Sequence, residues 1–385
     1  MRRKRWDIFC TVVDNFGDIG LCWRLARQLA AEHGLQVRLW VDDLASFQVL
    51  CPELDPLRKT QTLRTVEIRH WAEPFTSAAF DGDDAGADVV IEAFACNLPQ
   101  EYLAAMARRA RHPLWLNLEY LSAENWVESC HRRASPQPGL PLTKHFFFPG
   151  FTAKTGGLLR EKNLLHDRAT WQTDPAAAWP KLGLPAPQAA ERSVSLFCYD
   201  NTALPELLDA WSAAETPLRC LIAQGATLAQ AAAFFGRTSL TAGDTLQRGN
   251  LSVIALPFLS QENYDRLLWT CDLNFVRGED SFVRAQWAAK PFVWQIYPQD
   301  DGAHLTKLEA FLDRYCAELQ PPAAAACRSF WQTWNQAGES GIGGTWADFR
   351  QLLPELSAHA RSWTEHLGER EDLASNLVDY CKNLL

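Results

Sequence analysis

Two aspartates, Asp14 and Asp18, lie four residues apart in the stretch TVVDNFGDIGLCW near the start of the chain. An apolar run precedes it and a helical pattern follows, as in the phosphate loop of a nucleotide-binding fold. Gly17 and Gly20 do not match the G-x-G-x-x-G fingerprint, and carboxylates repel a pyrophosphate. The two acids are therefore expected to meet a cation or to accept a proton. The alternative is that Asp14 is a turn residue and Asp18 a helix N-cap.

A second polar stretch, FVRGEDSFVRAQWA, has a strand pattern that ends near Arg277 and a helix pattern that begins near Ser281. Backbone N–H groups at a helix start, together with the Ser281 hydroxyl, form a ready anion site. Arg277 and Arg284 can add positive charge beside a phosphate. Glu279 is expected to accept hydrogen bonds from ribose or sugar hydroxyls, and Asp280 to cap the helix. The alternative is an ordinary capped helix with solvated charges.

Aromatic and acidic side chains follow other strand patterns. Phe258 in LPFLSQENYD and Tyr199 in SLFCYD lie where a ring could stack on a base, and Gln261 follows Phe258 closely. The acids Glu92 and Glu119 follow the runs DVVI and WLNL. Because ligands bind open α/β sheets at the carboxyl ends of the strands, these side chains are expected on that edge. A single aromatic at a strand end is usually core, whereas two beside one cleft favour a binding site.

The elements that must position these residues alternate along the chain. A first series of strand patterns comprises IFCTVV, QVRLWV, TVEIRHW, ADVVIEAF and PLWLNLEYL, and Gly34 is a natural stop for the first helix. A second series comprises SVSLFCYD, PLRCLIA, LSVIALPFL, LNFVRG and PFVWQIY. Strands that alternate with helices predict parallel sheets covered on both faces. The predicted fold class is α/β, with two Rossmann-like domains that face each other across a cleft.

The predicted domains follow from these series and from the proline-rich stretch between them. Residues 1–178 form the first domain, 179–193 a linker with three prolines, and 194–365 the second domain. Residues 366–385 include ASNLVDYCKNLL, which is predicted to be a helix that packs back on the first domain. Glycosyltransferases, dehydrogenases and periplasmic binding proteins all use two such domains, and their ligands bind in the cleft.

The composition of the chain disfavours some of these classes of protein. The 385 residues carry a formal net charge of −9, which disfavours general nucleic-acid binding. The eleven cysteines are scattered without a CxxC pair, and no signal-peptide stretch or long apolar run occurs. A reducing cytoplasm is therefore expected, which argues against a periplasmic binding protein. The motifs HExxH, GxSxG and Walker A are absent, and we expect a reaction that needs neither metal nor cofactor.

Five stretches together resemble the EarP family, bacterial enzymes that rhamnosylate an arginine of translation elongation factor P. The stretches occur in order over the whole chain and are DNFGDIG, LNLEYLSAE, FFFPGFTAKTGGLLRE, RGEDSFVRAQWA and YPQDDGAHLTKLEAF. The resemblance implies an inverting glycosyltransferase of the GT-B type. Its donor would be dTDP-β-L-rhamnose, and its acceptor one arginine at a loop tip of elongation factor P. The modified factor rescues ribosomes that stall at polyproline.

The resemblance also implies roles for individual residues. The family's aspartate pair falls on Asp14 and Asp18, with Asp18 as general base and Asp14 orienting the guanidinium. The donor-site acid falls on Glu279. Donor-binding residues would be Tyr199, Phe258 stacked on thymine, Gln261, Arg277, Asp280 and Ser281. Acceptor-side residues would be Asn15, Phe16, Gly17, Glu92 and Glu119.

Two other functions remain open at this point. The fold alone allows another nucleotide-sugar glycosyltransferase, acting on a glycan or a lipid. The net charge of −9 also allows a binding protein without catalysis that recognises a basic loop of its partner. Neither alternative follows from a motif of its own, whereas the rhamnosyltransferase hypothesis rests on five.

Overall fold

The computed structural model describes residues 4–13, 16–72, 75, 86–336, 338 and 341–385. The chain forms two compact units: unit 1 comprises Met1–Lys162 with Arg370–Leu385, and unit 2 comprises Asn163–Glu369. The chain therefore leaves unit 1 once and returns to it for its last segment.

The described residues of unit 1 form a sheet of eight strands. They are β1 (Arg5–Cys10), β2 (Gln36–Val41), β3 (Thr60–Leu63), β4 (Val66–His70), β5 (Val89–Ala93), β6 (Leu114–Leu118), β7 (Ala134–Pro136) and β8 (Thr143–Phe147). The order is β3-β4-β2-β1-β5-β6-β8-β7, and only the edge strands β3 and β7 pair antiparallel. The six parallel strands, counted along the chain, follow the doubly wound order 3-2-1-4-5-6. The order reverses between β1 and β5, and such a switch point is where these sheets bind ligands.

Unit 2 contains a second sheet, of six strands. They are β9 (Arg192–Leu196), β10 (Leu218–Ala223), β11 (Thr245–Arg248), β12 (Leu251–Leu256), β13 (Leu273–Arg277) and β14 (Phe292–Gln295). The order is β11-β12-β10-β9-β13-β14, with β11 alone antiparallel. The five parallel strands follow the order 3-2-1-4-5, so the switch point lies between β9 and β13. Both predicted Rossmann-like units are confirmed.

Helices connect the strands and form the last part of the chain. They are α1 (Gly17–His33), α2 (Leu44–Leu50), α3 (Gln100–Arg108), α4 (Val127–Cys130), α5 (Leu164–Gln172), α6 (Pro175–Lys181), α7 (Leu204–Ser212), α8 (Ala226–Phe234), α9 (Gln261–Thr270), α10 (Asp280–Trp287), α11 (Ala303–Tyr315), α12 (Pro321–Trp334), α13 (Ile342–Gln351), α14 (Leu353–Gly368) and α15 (Leu373–Leu384). As predicted, Gly34 ends α1, in the left-handed conformation with φ of 65°.

A buried ion pair lies inside unit 1. Arg38 on β2 donates from Nε and Nη2 to the two carboxylate oxygens of Asp7 on β1, at 2.7 and 2.6 Å. Asp7 also accepts from Trp40 Nε1 at 3.1 Å and from the Tyr102 hydroxyl at 2.7 Å. Burial, with Asp7 beside it, raises the pKa of Tyr102 well above its ordinary value, so the hydroxyl remains a donor. The charges are thus paired and hydrogen-bonded, as buried charges must be.

The final helix, α15, packs on unit 1 as the sequence predicts. Leu377 and Val378 belong to the same core cluster as Ile8 of β1. Gln28 on α1 ties this helix down, since its amide donates to Asp372 Oδ1 at 3.1 Å, and Asp372 caps α15. The loop that contains Gly157 packs closely against the residues that precede α15. At Gly157, with φ of 77°, an added Cβ would lie 2.5 Å from the carbonyl oxygen of Glu371.

The segment predicted as a linker, residues 179–193, lies within unit 2 and packs on its other residues. Helix α6 overlaps its first residues, and Trp179 is buried against the guanidinium of Arg219, whose Cζ lies 3.9 Å from the ring centroid. Arg219 Nη1 also donates to the carbonyl of Pro185 at 2.7 Å. The boundaries predicted for the folding domains, at residues 178 and 365, remain predictions.

The chain has sixteen tryptophans, and several of them are packed in the core of unit 2. In unit 2, Trp331 is buried and stacks on Phe311 with centroids 5.8 Å apart and an interplanar angle of 19°. Trp334 of the same helix packs edge-on against Phe275 of β13 at 5.0 Å. Aromatic side chains of α11 and α12 thus pack against each other and against the second sheet.

Within the described ranges, no helix is both long and apolar enough to cross a membrane. The eleven cysteines, all in the described part, form no disulfide. Burial raises the pKa of the Cys198 thiol to about 12, which makes it unreactive at neutral pH.

Candidate active site

Asp18 lies at the switch point of unit 1, in the first turn of α1. The side chain is buried, with 3% of its surface exposed. Its Oδ2 accepts from the backbone N–H of Val13 at 2.9 Å, and its Oδ1 accepts from the Tyr120 hydroxyl at 3.1 Å. A carboxylate in the first turn is also favoured by the helix dipole. The residue is therefore held in place at the edge where ligands are expected.

The alternative that Asp18 is a helix N-cap is wrong. The N-cap of α1 is Phe16, which makes no side-chain cap hydrogen bond, and Gly17 is the first helical residue. Asp18 bonds a backbone N–H of the preceding turn instead. The predicted partners Asp14 and Asn15 lie outside the described residues.

A third acid at this edge was not recognised from the sequence. Asp42, which follows β2, accepts from the backbone N–H of Val12 at 2.9 Å through Oδ1. Partial burial raises the pKa of its carboxyl group. Two consecutive N–H groups, of Val12 and Val13, thus bond two different carboxylates. The signal in the sequence was the dipeptide DD directly after a strand pattern.

The two glutamates predicted on the acceptor side differ in their surroundings. Glu92 at the end of β5 is buried and accepts from Trp115 Nε1 at 3.0 Å, while Lys144 Nζ lies 3.1 Å from the same carboxylate. It therefore joins β5, β6 and β8 inside the unit and presents no open carboxylate. Glu119 is half-buried after β6 and accepts from the Asn117 amide.

An aromatic pair beside Asp18 was also missed. The ring of Tyr120 stacks on Phe94, with centroids 4.4 Å apart and an interplanar angle of 15°. Phe94 follows β5 and Tyr120 follows β6, so both lie at the same edge of the sheet as Asp18. No local pattern identifies such a pair, because its members are far apart in the sequence and meet only through strand pairing.

Arg277 is the central cation at the switch point of unit 2. Its guanidinium carbon lies 4.5 Å from the ring centroid of Tyr199 and 4.3 Å from that of Phe197. Tyr297, which follows β14, packs edge-on against Tyr199 at 5.4 Å. Tyr199 and Arg277 were predicted, whereas Phe197 and Tyr297 were not. Cation and rings together can bind an anionic group beside a planar one.

The turn before α10 is fixed by its own side chains. The Ser281 hydroxyl donates to the carbonyl of Arg277 and accepts from its N–H at 3.0 Å. Trp294 Nε1 donates to the carbonyl of Gly278 at 2.7 Å, and Gly278 has a φ of 59°. Ser281 therefore shapes the turn with its hydroxyl. The backbone N–H groups at the start of α10 are the better candidates for binding an anion.

Two details of this turn correct the sequence interpretation. The helix begins at Asp280, and its N-cap is Glu279, without a side-chain cap hydrogen bond, so the cap predicted at Asp280 is wrong. Arg284 is buried and paired with Asp265, at 3.0 Å from Nε and 2.6 Å from Nη2. Arg284 thus joins α9 to α10 and cannot supply charge to a phosphate.

Phe258 and Gln261 lie at the end of the neighbouring strand β12. Phe258 is half-buried in the loop that follows this strand. Gln261 is the first residue of α9, is buried, and follows the N-cap Ser260. Because β12 and β9 both pair with β10 in parallel, these residues lie at the same edge of the sheet as Tyr199. The residues that the sequence predicts to bind a donor thus lie at one edge of this sheet, and their role remains a prediction.

Metal ligation receives no support from the described side chains, since no group of three or more His, Cys, Asp or Glu residues there could hold an ion. Metal independence therefore remains a prediction. The edge of the sheet in unit 1 carries a fixed carboxylate, which can accept a proton or bind a cation. The edge of the sheet in unit 2 carries a cation, aromatic rings and a helix start, which can bind an anionic group.

A family model described as "Elongation-Factor P (EF-P) rhamnosyltransferase EarP" matches residues 6–382. The chain belongs to the EarP family. It is therefore an enzyme of the glycosyltransferase class, and the resemblance noted from five short stretches is confirmed over both units.

Curated relatives agree with this assignment. The chain is 50% identical to the protein-arginine rhamnosyltransferase of Pseudomonas aeruginosa over 378 residues, which cover 97% of this chain and 98% of the relative. It is 50% identical to the enzyme of the same name from Pseudomonas putida over 386 residues, with complete coverage of both. The relative from Shewanella oneidensis, also of that name, is 43% identical over 98% of each chain.

Solved structures confirm the fold. One described as "Structural basis for EarP-mediated arginine glycosylation of translation elongation factor EF-P" is 37% identical, with a TM-score of 0.69 and complete coverage of both chains. A UDP-glucosyltransferase from Polygonum tinctorium is 9% identical with a TM-score of 0.54, and covers 99% of this chain and 98% of its own. The second likeness concerns the fold alone, which is of the GT-B type.

Proposed function

We propose that this protein moves L-rhamnose from dTDP-β-L-rhamnose to one arginine of translation elongation factor P, with inversion at the anomeric carbon. The observation that carries the proposal is the family match over residues 6–382. The relatives named protein-arginine rhamnosyltransferase, at 50% identity over nearly all of the chain, support the acceptor chemistry. Because the proposed acceptor is a translation factor, the enzyme would act in the cytoplasm and help to rescue ribosomes stalled at polyproline.

The acceptor poses the main chemical problem. A guanidinium has a pKa above about 12, and its nitrogen lone pairs are delocalised, so it is a poor nucleophile. A carboxylate that accepts its N–H can orient the group and take one proton as the nitrogen attacks. Asp18, held through both of its oxygens, is the residue that we assign to this role. Asp14 would orient the rest of the guanidinium.

The transfer step balances without a further reactant. One Nη of the acceptor arginine forms a bond to the anomeric carbon of rhamnose, and the bond from that carbon to the dTDP oxygen breaks. The proton of Nη passes to Asp18, and dTDP leaves as an anion. Attack on the face opposite the departing diphosphate gives inversion, so the β-linked donor yields an α-linked product.

The leaving group requires positive potential from unit 2. We assign this to Arg277 and to the backbone N–H groups at the start of α10, near Asp280 and Ser281. Tyr199 and Phe258 would contact the nucleoside, with Phe258 stacked on thymine, and Gln261 would lie beside them. Glu279, at the N-cap of α10, would accept hydrogen bonds from sugar hydroxyls. In this proposal no metal neutralises the diphosphate.

The proposal is tested by the intact mass of elongation factor P after incubation with this protein and dTDP-rhamnose. We expect a gain of one deoxyhexose, located by fragmentation on a single arginine. The matched control is an elongation factor P in which that arginine is replaced by lysine, and it should stay unmodified. No mass gain with an active donor preparation would contradict the proposal, and transfer to a glycan or lipid instead would favour the alternative.

Replacing Arg277 with Gln should weaken dTDP binding by about 10–100-fold. A hydrogen bond to a charged group contributes about 1.5–3 kcal/mol, and glutamine removes the cation while keeping a polar side chain. Calorimetric titration with dTDP measures the effect. The control is Arg266→Gln on α9, which makes the same chemical change at another arginine of unit 2. Arg266 is exposed, and its Cζ lies 5.2 Å from the centroid of the Trp171 ring. Equal affinities of the two variants would contradict the assignment.

A further inference from the structure

We propose that Tyr120 is a positioning residue for Asp18, an inference that rests on the proposed role of Asp18 as the base. The Tyr120 hydroxyl donates to Oδ1 of Asp18 at 3.1 Å, and the Val13 N–H donates to Oδ2 at 2.9 Å. Each oxygen of the carboxylate is thus held by a donor from a different segment, one after β1 and one after β6. Two such bonds fix the rotation of the carboxylate plane.

This orientation matters because transfer from a guanidinium depends on angle as well as distance. The accepting lone pair must point at one Nη hydrogen while that nitrogen faces the anomeric carbon. A carboxylate that turns freely meets both conditions only part of the time. An ionised carboxylate can accept about four hydrogen bonds, so two fixed donors are compatible with a further contact from an arginine.

The ring of Tyr120 is itself held by a strained loop. It stacks on Phe94 at 4.4 Å, and Phe94, Ala95 and Asn97 have φ values of 55°, 53° and 56°. Residues other than glycine seldom adopt positive φ, at a cost of about 1–3 kcal/mol each. Hydrogen bonds hold the loop: the Phe94 N–H donates to the Leu118 carbonyl at 2.7 Å. Backbone strain concentrated beside a carboxylate of this kind is typical of functional sites.

Core packing does not explain Tyr120. The residue keeps 40% of its surface exposed, although its hydroxyl reaches the buried Asp18. A tyrosine used only for its apolar area would be expected to bury its ring. Replacement by phenylalanine keeps the stack on Phe94 and removes one hydroxyl, so the variant is expected to fold.

The experiment compares Tyr120→Phe with the wild-type enzyme in steady-state transfer to elongation factor P. We expect kcat to fall about 10-fold or more, because a charge-assisted hydrogen bond is lost, while the acceptor KM stays within about twofold. The matched control is Tyr380→Phe, which removes a hydroxyl that contacts His145 at 2.7 Å in the same unit. It should keep the wild-type kcat. An unchanged kcat in Tyr120→Phe, or a rise in acceptor KM alone, would overturn the proposal.

A second measurement is independent of transferase activity. Selective ¹⁵N-valine labelling reports the hydrogen exchange of the Val13 N–H, which bonds Asp18. If Tyr120 holds the carboxylate, this exchange should be several-fold faster in Tyr120→Phe and unchanged in Tyr380→Phe. Unchanged exchange in both variants would overturn the positioning role. An inactive wild-type enzyme with faster Val13 exchange in Tyr120→Phe would contradict the proposed function alone.

Discussion

Replacing Asp18 with Asn should reduce rhamnose transfer by about 10²–10⁴-fold, the range that general-base catalysis contributes. Asparagine keeps the shape of the side chain, and its amide oxygen can still accept from Val13, but it cannot take a proton from the guanidinium. Binding of dTDP should be unchanged, since the proposed donor residues lie in unit 2. Initial rates by intact mass and calorimetric titration with dTDP measure the two quantities separately.

The control for this variant is Asp88→Asn. Asp88 precedes β5, at the opposite end of the strands in the same sheet, and accepts from the Arg5 N–H at 2.8 Å. The chemical change is identical, and the rate should stay within about twofold of the wild type. A rate for Asp18→Asn within about fivefold of the wild type would remove Asp18 as the base and leave Asp14 as the candidate.

Replacing Asp7 with Ala should lower the free energy of unfolding of unit 1 by about 3–5 kcal/mol. Four donor atoms, from Arg38, Trp40 and Tyr102, converge on this carboxylate. Its removal leaves the Arg38 guanidinium buried without its counter-ion. Urea unfolding followed by circular dichroism measures the change, and the transition of unit 2 should not move.

Two further variants calibrate this loss. Asp379→Ala breaks an exposed ion pair, in which Lys382 Nζ lies 3.1 Å from Asp379 Oδ1. This change should lower the free energy of unfolding by less than about 1 kcal/mol. The double variant Asp7→Leu with Arg38→Met should recover part of the loss, because no charge then stays buried. Recovery should be incomplete, since Trp40 and Tyr102 lose their acceptor. A loss below about 1 kcal/mol in Asp7→Ala would show that the pair adds little net stability.

Most of the parallel strands could be predicted because buried strands are short runs rich in apolar residues, as in QVRLWV for β2 and LSVIALPFL for β12. Strands β7 and β8 were missed, and so were the edge strands β3 and β11. Strands β3 and β11 have four residues each, and their polar, partly exposed sequences TQTL and TLQR resemble loops. Their pairing is decided by a neighbouring strand, which a local pattern does not contain.

For the candidate site, the sequence predicts the positions of the main residues but not their partners. Arg277 is the last residue of β13, and Asp18 lies in the first turn of the helix that follows β1, so topology alone places both at the carboxyl ends of the parallel strands. The surroundings of Glu92 and Arg284 were not predictable, because their partners Lys144 and Asp265 lie 52 and 19 residues away. Tyr120 meets Asp18 across 102 residues for the same reason. Local sequence thus indicates at which edge of the sheet a side chain lies. Pairing with residues far away in the sequence decides whether that side chain can still contact a ligand.

The return of α15 to unit 1 has a consequence for synthesis on the ribosome. Residues of this helix, among them Leu377 and Cys381, complete the core that surrounds β1 and α1. All of unit 2 is translated before them, since it occupies Asn163–Glu369. Domains generally fold as units during translation. Unit 2 can therefore fold while the chain grows, whereas unit 1, which begins first, finishes last.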